Sequence, residues 1–175
     1  MQLTYKISLW LFGIFFMVSC QGNNKSEQTE ASPKIIERFI PETLTTESQD
    51  TLLADSGVKV SISKTALETF VEQEFEDESG INKIKYRDFK YRLTIHLQNE
   101  MLIDTTFQKQ TFADSLGTDF MDIAVFHGYF FDEVTANESV FTAVVGQPET
   151  SWVYAFNHFV DLKTKKFRIV VLEEN

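Results

Sequence analysis

The chain has 175 residues, 43% of them hydrophobic, enough for one domain with a substantial buried core. Its 26 acidic residues outnumber 16 basic ones, and the formal charge of −10 argues against nucleic acid and against electrostatic adhesion to anionic lipid. A single cysteine, Cys20, excludes an internal disulfide and a thiolate metal cluster.

The amino end carries Lys6, then an apolar run from Ile7 to Val18 broken only by Ser8 and Gly13, then Ser19-Cys20. That order is the architecture of an export signal, and the run is too short to be a permanent membrane span. Met17-Val18-Ser19-Cys20 resembles the lipobox of bacterial lipoproteins, with Met17 in place of the usual leucine. The resemblance implies cleavage before Cys20, fatty acylation of that residue (the palmitate-type modification), and a partner in the lipid bilayer itself. Several acyl chains hold where one would not, because each buried methylene contributes about 0.8 kcal/mol.

Removing residues 1–19 leaves 156 residues and a formal charge of −11, since Lys6 goes with the leader. From Gln21 to Lys34 there is no large apolar side chain, so nothing offsets the entropy of ordering. The expected organisation is a lipoprotein signal peptide over 1–19, the lipidated cysteine and a flexible tether over 20–34, and one mostly β domain over 35–175.

Within the domain, Ile35, Ile36, Phe39 and Ile40 suit an amphipathic turn that Pro41 and the polar run after it interrupt, which predicts partial order before Leu52. Val58, Val60 and Ile62 then alternate with polar residues, as do Tyr91, Leu93, Ile95 and Leu97, the period of half-buried strands. A three-residue turn at Gln98-Asn99-Glu100 would set Leu97 against Met101, Ile95 against Ile103, Leu93 against Thr105 and Tyr91 against Phe107. It requires Asn99 or Glu100 in the left-handed region. Residues 65–76 fit two periods. Thr65-Ala66-Leu67-Glu68 forms a capping box and Leu67, Phe70, Val71 and Phe75 lie at helical spacing, which narrowly favours a helix, while Leu67, Val71 and Phe75 also fit a strand.

Further strands are expected over Phe120–Phe131, Val140–Val145, Ser151–Val160 and Phe167–Leu172. Turns are expected at Gly146-Gln147-Pro148 and Lys163-Thr164-Lys165, and the doubly apolar segments around Phe126 and Phe156 are expected at the centre. The fold class is therefore mainly β, an antiparallel β-sandwich or open barrel-like sheet of about seven strands, with room for one short helix near the start of the domain.

His96, His127 and His158 invite a metal reading, but none has a recognised ligand spacing, and a polar residue on a strand is the ordinary role for each. His127 and His158 are the candidates to watch, because each alternates in phase with apolar neighbours and adjoining strands would bring them together. No serine elbow, glycine-rich phosphate loop or calcium loop is present, so no catalytic residue and no cofactor is assigned. The mature chain keeps 19 aromatic residues once Tyr5, Trp10, Phe12, Phe15 and Phe16 are removed. Most belong to the core, while Trp152, Tyr154, Tyr129 and Phe131 are the candidates for stacking on a carbohydrate or anchoring a protein ligand.

Phe141 in a short strand, Pro148-Glu149-Thr150, the aromatic strand Trp152–Asp161 and the closing strand Lys166–Glu173 resemble a group of small uncharacterised lipoproteins of Bacteroidota. The resemblance implies an envelope location, with outer membrane favoured because Gln21 is not the Asp that retains enteric lipoproteins at the inner membrane, and facing either the periplasm or the exterior. It brings no catalytic residues. The expected function is a non-catalytic binding or assembly module of the envelope. The alternative is a hydrolase acting on an envelope or nutrient polymer, which would require two carboxylates or a His–carboxylate pair converging in a deep cleft.

Overall fold

The structure is a computed structural model and describes residues 34–54, 56–135 and 137–172, so the expected leader, Cys20 and the tether before Lys34 lie outside the described residues. Among the described residues there are nine strands. These are β1 Ile35–Ile40, β2 Thr46–Leu53, β3 Val58–Asp77, β4 Gly80–Leu97, β5 Glu100–Phe107, β6 Val125–Val134, β7 Glu138–Gly146, β8 Val153–Asp161 and β9 Phe167–Val171. A 3₁₀ turn, Lys109–Phe112, and two short helices, α1 Ala113–Leu116 and α2 Thr118–Ile123, connect β5 to β6.

The first sheet runs β1-β4-β3-β2 with β5 also on β4, and the second runs β6-β7-β8-β9. Since β3 follows one edge of the 18-residue β4, the other edge is shared end to end, by β1 along Ile81–Tyr86 and β5 along Tyr91–Leu97. The two inner faces meet in one core. Leu93 and Ile95 of β4 are 0% exposed, as are Phe126, Phe141 and Phe156 of the second sheet. Burying a side chain of that size contributes about 1.5–3 kcal/mol. The mainly β sandwich read from the alternation is the observed architecture.

Several details differ from expectation, each for a local reason. The segment expected to be only partly ordered supplies β1 and β2, raising the strand count above seven. β1 pairs parallel with β4, so the sandwich is mostly rather than wholly antiparallel. Only Ile36 and Phe39 of β1 are half-buried, which is why its sequence carries no clear period. Residues 65–76 are strand, not helix. A shift of register between Ala66 and Phe70 moves the buried positions from Ala66 to Val71, a spacing of five that breaks the two-residue period. The one short helix expected near the start of the domain is therefore absent there, and the helical residues lie at 109–123 instead.

The hairpin between β4 and β5 keeps the expected pairs Ile95 with Ile103, Leu93 with Thr105 and Tyr91 with Phe107. Its turn is tighter than expected. Leu97 pairs with Glu100, Gln98 takes the left-handed conformation (φ 55°), and the extra residue is absorbed as a bulge beside Ile95. Burial of Ile95 and Ile103 fixes the register, and the turn adapts to it. Phe120–Ile123 is helical, not strand, so β6 begins only at Val125. β6 is also an edge strand rather than a central one. Its second apolar face is accounted for by Val125, which packs with Val71, Ile84 and Tyr86 of the β3–β4 arm.

Candidate functional site

A cleft of about 460 Å³ opens beside the helical connection, with Leu116 and Phe120 on one side and Trp152 and Tyr154 on the other. Phe120 is buried, and its ring centroid lies 4.9 Å from that of Trp152 and 4.8 Å from that of Tyr154. Trp152 is 47% exposed, so one aromatic surface of the cluster faces solvent. The turn before it holds it in place. Gln147 N–H donates to the Trp152 carbonyl (3.0 Å), Trp152 N–H donates to Thr150 Oγ1 (3.1 Å), and the Thr150 hydroxyl donates to the Gln147 carbonyl (3.1 Å). Thr118 and Asp119 add polar groups at the rim, and Asp119 is the cleft's carboxylate. Aromatic surface beside one carboxylate and the hydroxyls of Thr118 and Tyr154 suits stacking and hydrogen bonding.

The other wall of the cleft is positioned by residues the sequence did not flag. Asp88 on β4 is 3% exposed, and its Oδ1 accepts from Phe126 N–H and Phe89 N–H, both at 2.9 Å. Its Oδ2 lies 3.4 Å from Lys109 Nζ, which itself donates to the Met121 and Ala124 carbonyls at the end of α2 (both 2.9 Å). One buried ion pair thus ties the first sheet to the helix that carries Phe120. Gly117 joins α1 to α2 at φ 73°, ψ 154°, a conformation essentially reserved for glycine. Gly117→Ala is expected to lose about 1–3 kcal/mol of stability, read from urea denaturation, although no atom crowds the position.

The four candidate aromatics are divided by the fold. Trp152 and Tyr154 share the cleft, whereas Tyr129 is 3% exposed and stacks on Phe141 in the core, and Phe131 is partly buried against the same ring. Tyr129 and His158 do come together, because the tyrosine hydroxyl and His158 Nδ1 share a hydrogen bond of 2.8 Å. His158 is 0% exposed, with Phe107 and Phe167 against it, and burial lowers its pKa to about 4. The same burial pushes the Tyr129 phenol well up. The buried partner of His158 is thus this tyrosine.

His127 and His158 do not adjoin, since β7 lies between their strands, and a bulge between Phe126 and Gly128 takes His127 out of phase with its neighbours. His127 instead lines a separate cleft of about 270 Å³ with Lys64, Glu47 and Tyr91. The Tyr91 hydroxyl donates to its carbonyl (2.6 Å), and burial, with Lys64 nearby, lowers its pKa. Among the described residues no three His, Cys, Asp or Glu side chains are grouped to hold a metal ion. Asp88, Lys109, Gly117 and Phe120 are the positioning residues that sequence reasoning missed. Only Phe120, within an apolar run, carried a local signal, and that run was read as strand.

No curated protein matches the chain. The family described as Domain of unknown function (DUF4738) matches residues 22–166. A match over well more than half of the sequence establishes that the chain belongs to this family of unknown function, the Domain of unknown function (DUF4738).

Proposed function

We propose that this protein is a bacterial envelope lipoprotein of Bacteroidota type whose domain is a non-catalytic binding module, with the Trp152–Tyr154–Phe120 cleft as its ligand site. The observation that carries the reading is the half-exposed Trp152 braced on a buried Phe120 at the mouth of an open cleft. An extended ligand with apolar faces and hydroxyl or amide edges fits that chemistry, a glycan or a peptide segment of a partner protein.

Cleavage before Cys20 and its acylation are supported by the lipobox-like Met17-Val18-Ser19-Cys20, and the outer membrane over the inner by Gln21 in place of an Asp. Gln21–Lys34, between that cysteine and the domain, is polar and holds no large apolar side chain, a composition that suits a spacer. Anchoring is tested by incorporation of labelled palmitate into the full chain, which Cys20→Ala is expected to abolish. Recovery of the Cys20→Ala chain in the membrane fraction with undiminished label would contradict it.

Binding is tested by retention of the mature protein on immobilised envelope glycans and peptides. Trp152→Ala is expected to weaken binding by about ten- to a hundredfold, the usual cost of truncating an aromatic anchor. Unchanged retention would exclude the cleft, and release of cleaved fragments from the same polymers would favour a hydrolase.

A further inference from the structure

The inward face of the first sheet places a lysine in a row of apolar residues. Val58, Val60, Ile62 and Ala66 of β3 are buried on that face, and the alternation sets Lys64 among them. Lys64 is half-buried, so its ammonium gives up part of its hydration. Among the described residues no carboxylate pairs with it. It lies instead over the Phe89 ring, 4.0 Å from the centroid, a contact that returns some of the lost hydration but leaves the charge uncancelled.

Lys64 borders the cleft of about 270 Å³ that also holds His127, where the edge strands β2 and β6 of the two sheets both contribute walls. Glu47 of β2 stands directly opposite Lys64 in the register and lines the same cleft, yet the two charges do not pair. On the other wall the bulge between Phe126 and Gly128 turns His127 to the cleft. Burial first and the Lys64 ammonium second lower the pKa of that imidazole, which also faces the Gly146 backbone. The buried Asp88 carboxylate is engaged by Lys109 and two backbone amides, so it is not the missing counter-ion. Ile62 and Phe130, the latter 54% exposed with its ring over Gly128, add apolar surface.

We propose that this cleft is a second ligand site, separate from the Trp152 cleft, and that it takes a free α-amino acid with an aromatic or apolar side chain. The ligand carboxylate meets Lys64, its ammonium meets Glu47, and its side chain lies against Ile62 and Phe130. A simple anion would be attracted by Lys64 and repelled by Glu47, and a simple amine the reverse. A zwitterion satisfies both charges, which stand in one cleft without pairing with each other. The size agrees, because drug-sized ligands occupy pockets of roughly 300–1,000 Å³ and this one lies just below that range.

The test is calorimetric titration of the full chain with L-phenylalanine and L-leucine. Saturable binding of at least one is expected, weakened about ten- to a hundredfold by Lys64→Met and by Glu47→Gln, the usual size of a lost hydrogen bond to a charged group. 3-Phenylpropionate lacks the ammonium and phenethylamine lacks the carboxylate, and each is expected to bind at least about tenfold more weakly than L-phenylalanine. Lys59→Met, which removes the same charge from the outer face of β3, is expected to bind as the wild type does. Lys64→Met is also expected to keep or raise the urea midpoint, since an apolar side chain suits the inward row. Should that variant fail to fold, Glu47→Gln on the exposed edge strand decides the same question. No saturable binding of either amino acid overturns the inference. So does binding of 3-phenylpropionate as tight as that of L-phenylalanine, which would leave a site for anions alone. Binding undiminished by both Lys64→Met and Glu47→Gln overturns it as well, because the amino acid would then sit elsewhere.

Discussion

Asp88→Ala will destabilise the domain by about 3–5 kcal/mol, the cost of leaving one partner of a buried ion pair uncompensated. The carboxylate is 3% exposed and serves three donors, the Phe89 and Phe126 amides and the Lys109 ammonium. Its removal orphans a buried backbone N–H at Phe126 and a lysine whose other contacts are the last carbonyls of α2. Asp88→Asn keeps an acceptor for the amides but not the charge, so it should lose only about 1–3 kcal/mol. Urea denaturation monitored by far-ultraviolet circular dichroism separates the two. A loss below about 1 kcal/mol for the alanine variant is what an exposed pair would give, and it would remove Asp88 as the pin between sheet and helix.

The second large effect is a dependence of stability on pH that originates in the core. His158 titrates near 4 in the folded protein and near 6.5 when exposed, because burial among Phe107, Phe112 and Phe167 disfavours its charged form. Between these values the unfolded chain binds a proton that the folded chain does not. Stability from this group is therefore complete above pH 6.5, falls as pH falls through the window and is gone below about pH 4, a total of about 3 kcal/mol. Among the described residues the polar side chain bonded to the ring is Tyr129, which is neutral throughout this range and adds no opposing titration. Between pH 7 and pH 5 the wild type should lose about 2 kcal/mol more than His158→Gln does. Equal losses would mean that the imidazole is reached by solvent in the folded state.

How much of this was readable in the sequence depended on whether a single period governed a segment. Where it did, as in Tyr91–Leu97, the inward residues, the pairing with Ile103 and Phe107 and the sandwich class all followed. Where a bulge changed the phase, the same reasoning misled. The register shift after Ala66 imitated helical spacing, and the bulge at His127 made it look like an inward partner for His158. β1 was missed because its pairing is made by backbone along a free stretch of β4 and leaves little mark on its side chains.

The candidate site was half legible. Trp152 and Tyr154 stood out by residue type and do line one cleft, whereas Tyr129, equally conspicuous, is a core residue bonded to a buried histidine. Nothing in a list of aromatics distinguishes these outcomes, because both positions alternate with apolar neighbours. Asp88 and Lys109, 21 positions apart, become a pair only through the connection that brings 109–123 back onto β4, and no local pattern encodes that.

The binding reading rests on Trp152, which is the only tryptophan left in the chain if, as proposed, residues 1–19 with Trp10 are cleaved away. Its emission, titrated with soluble fragments of envelope glycans and peptides, is therefore a direct measurement at the proposed site. A ligand in the cleft will give a saturable blue shift and shield the indole from an aqueous quencher. A ligand that binds the mature protein while leaving both the emission and the quenching of Trp152 unchanged would contradict the assignment of the cleft.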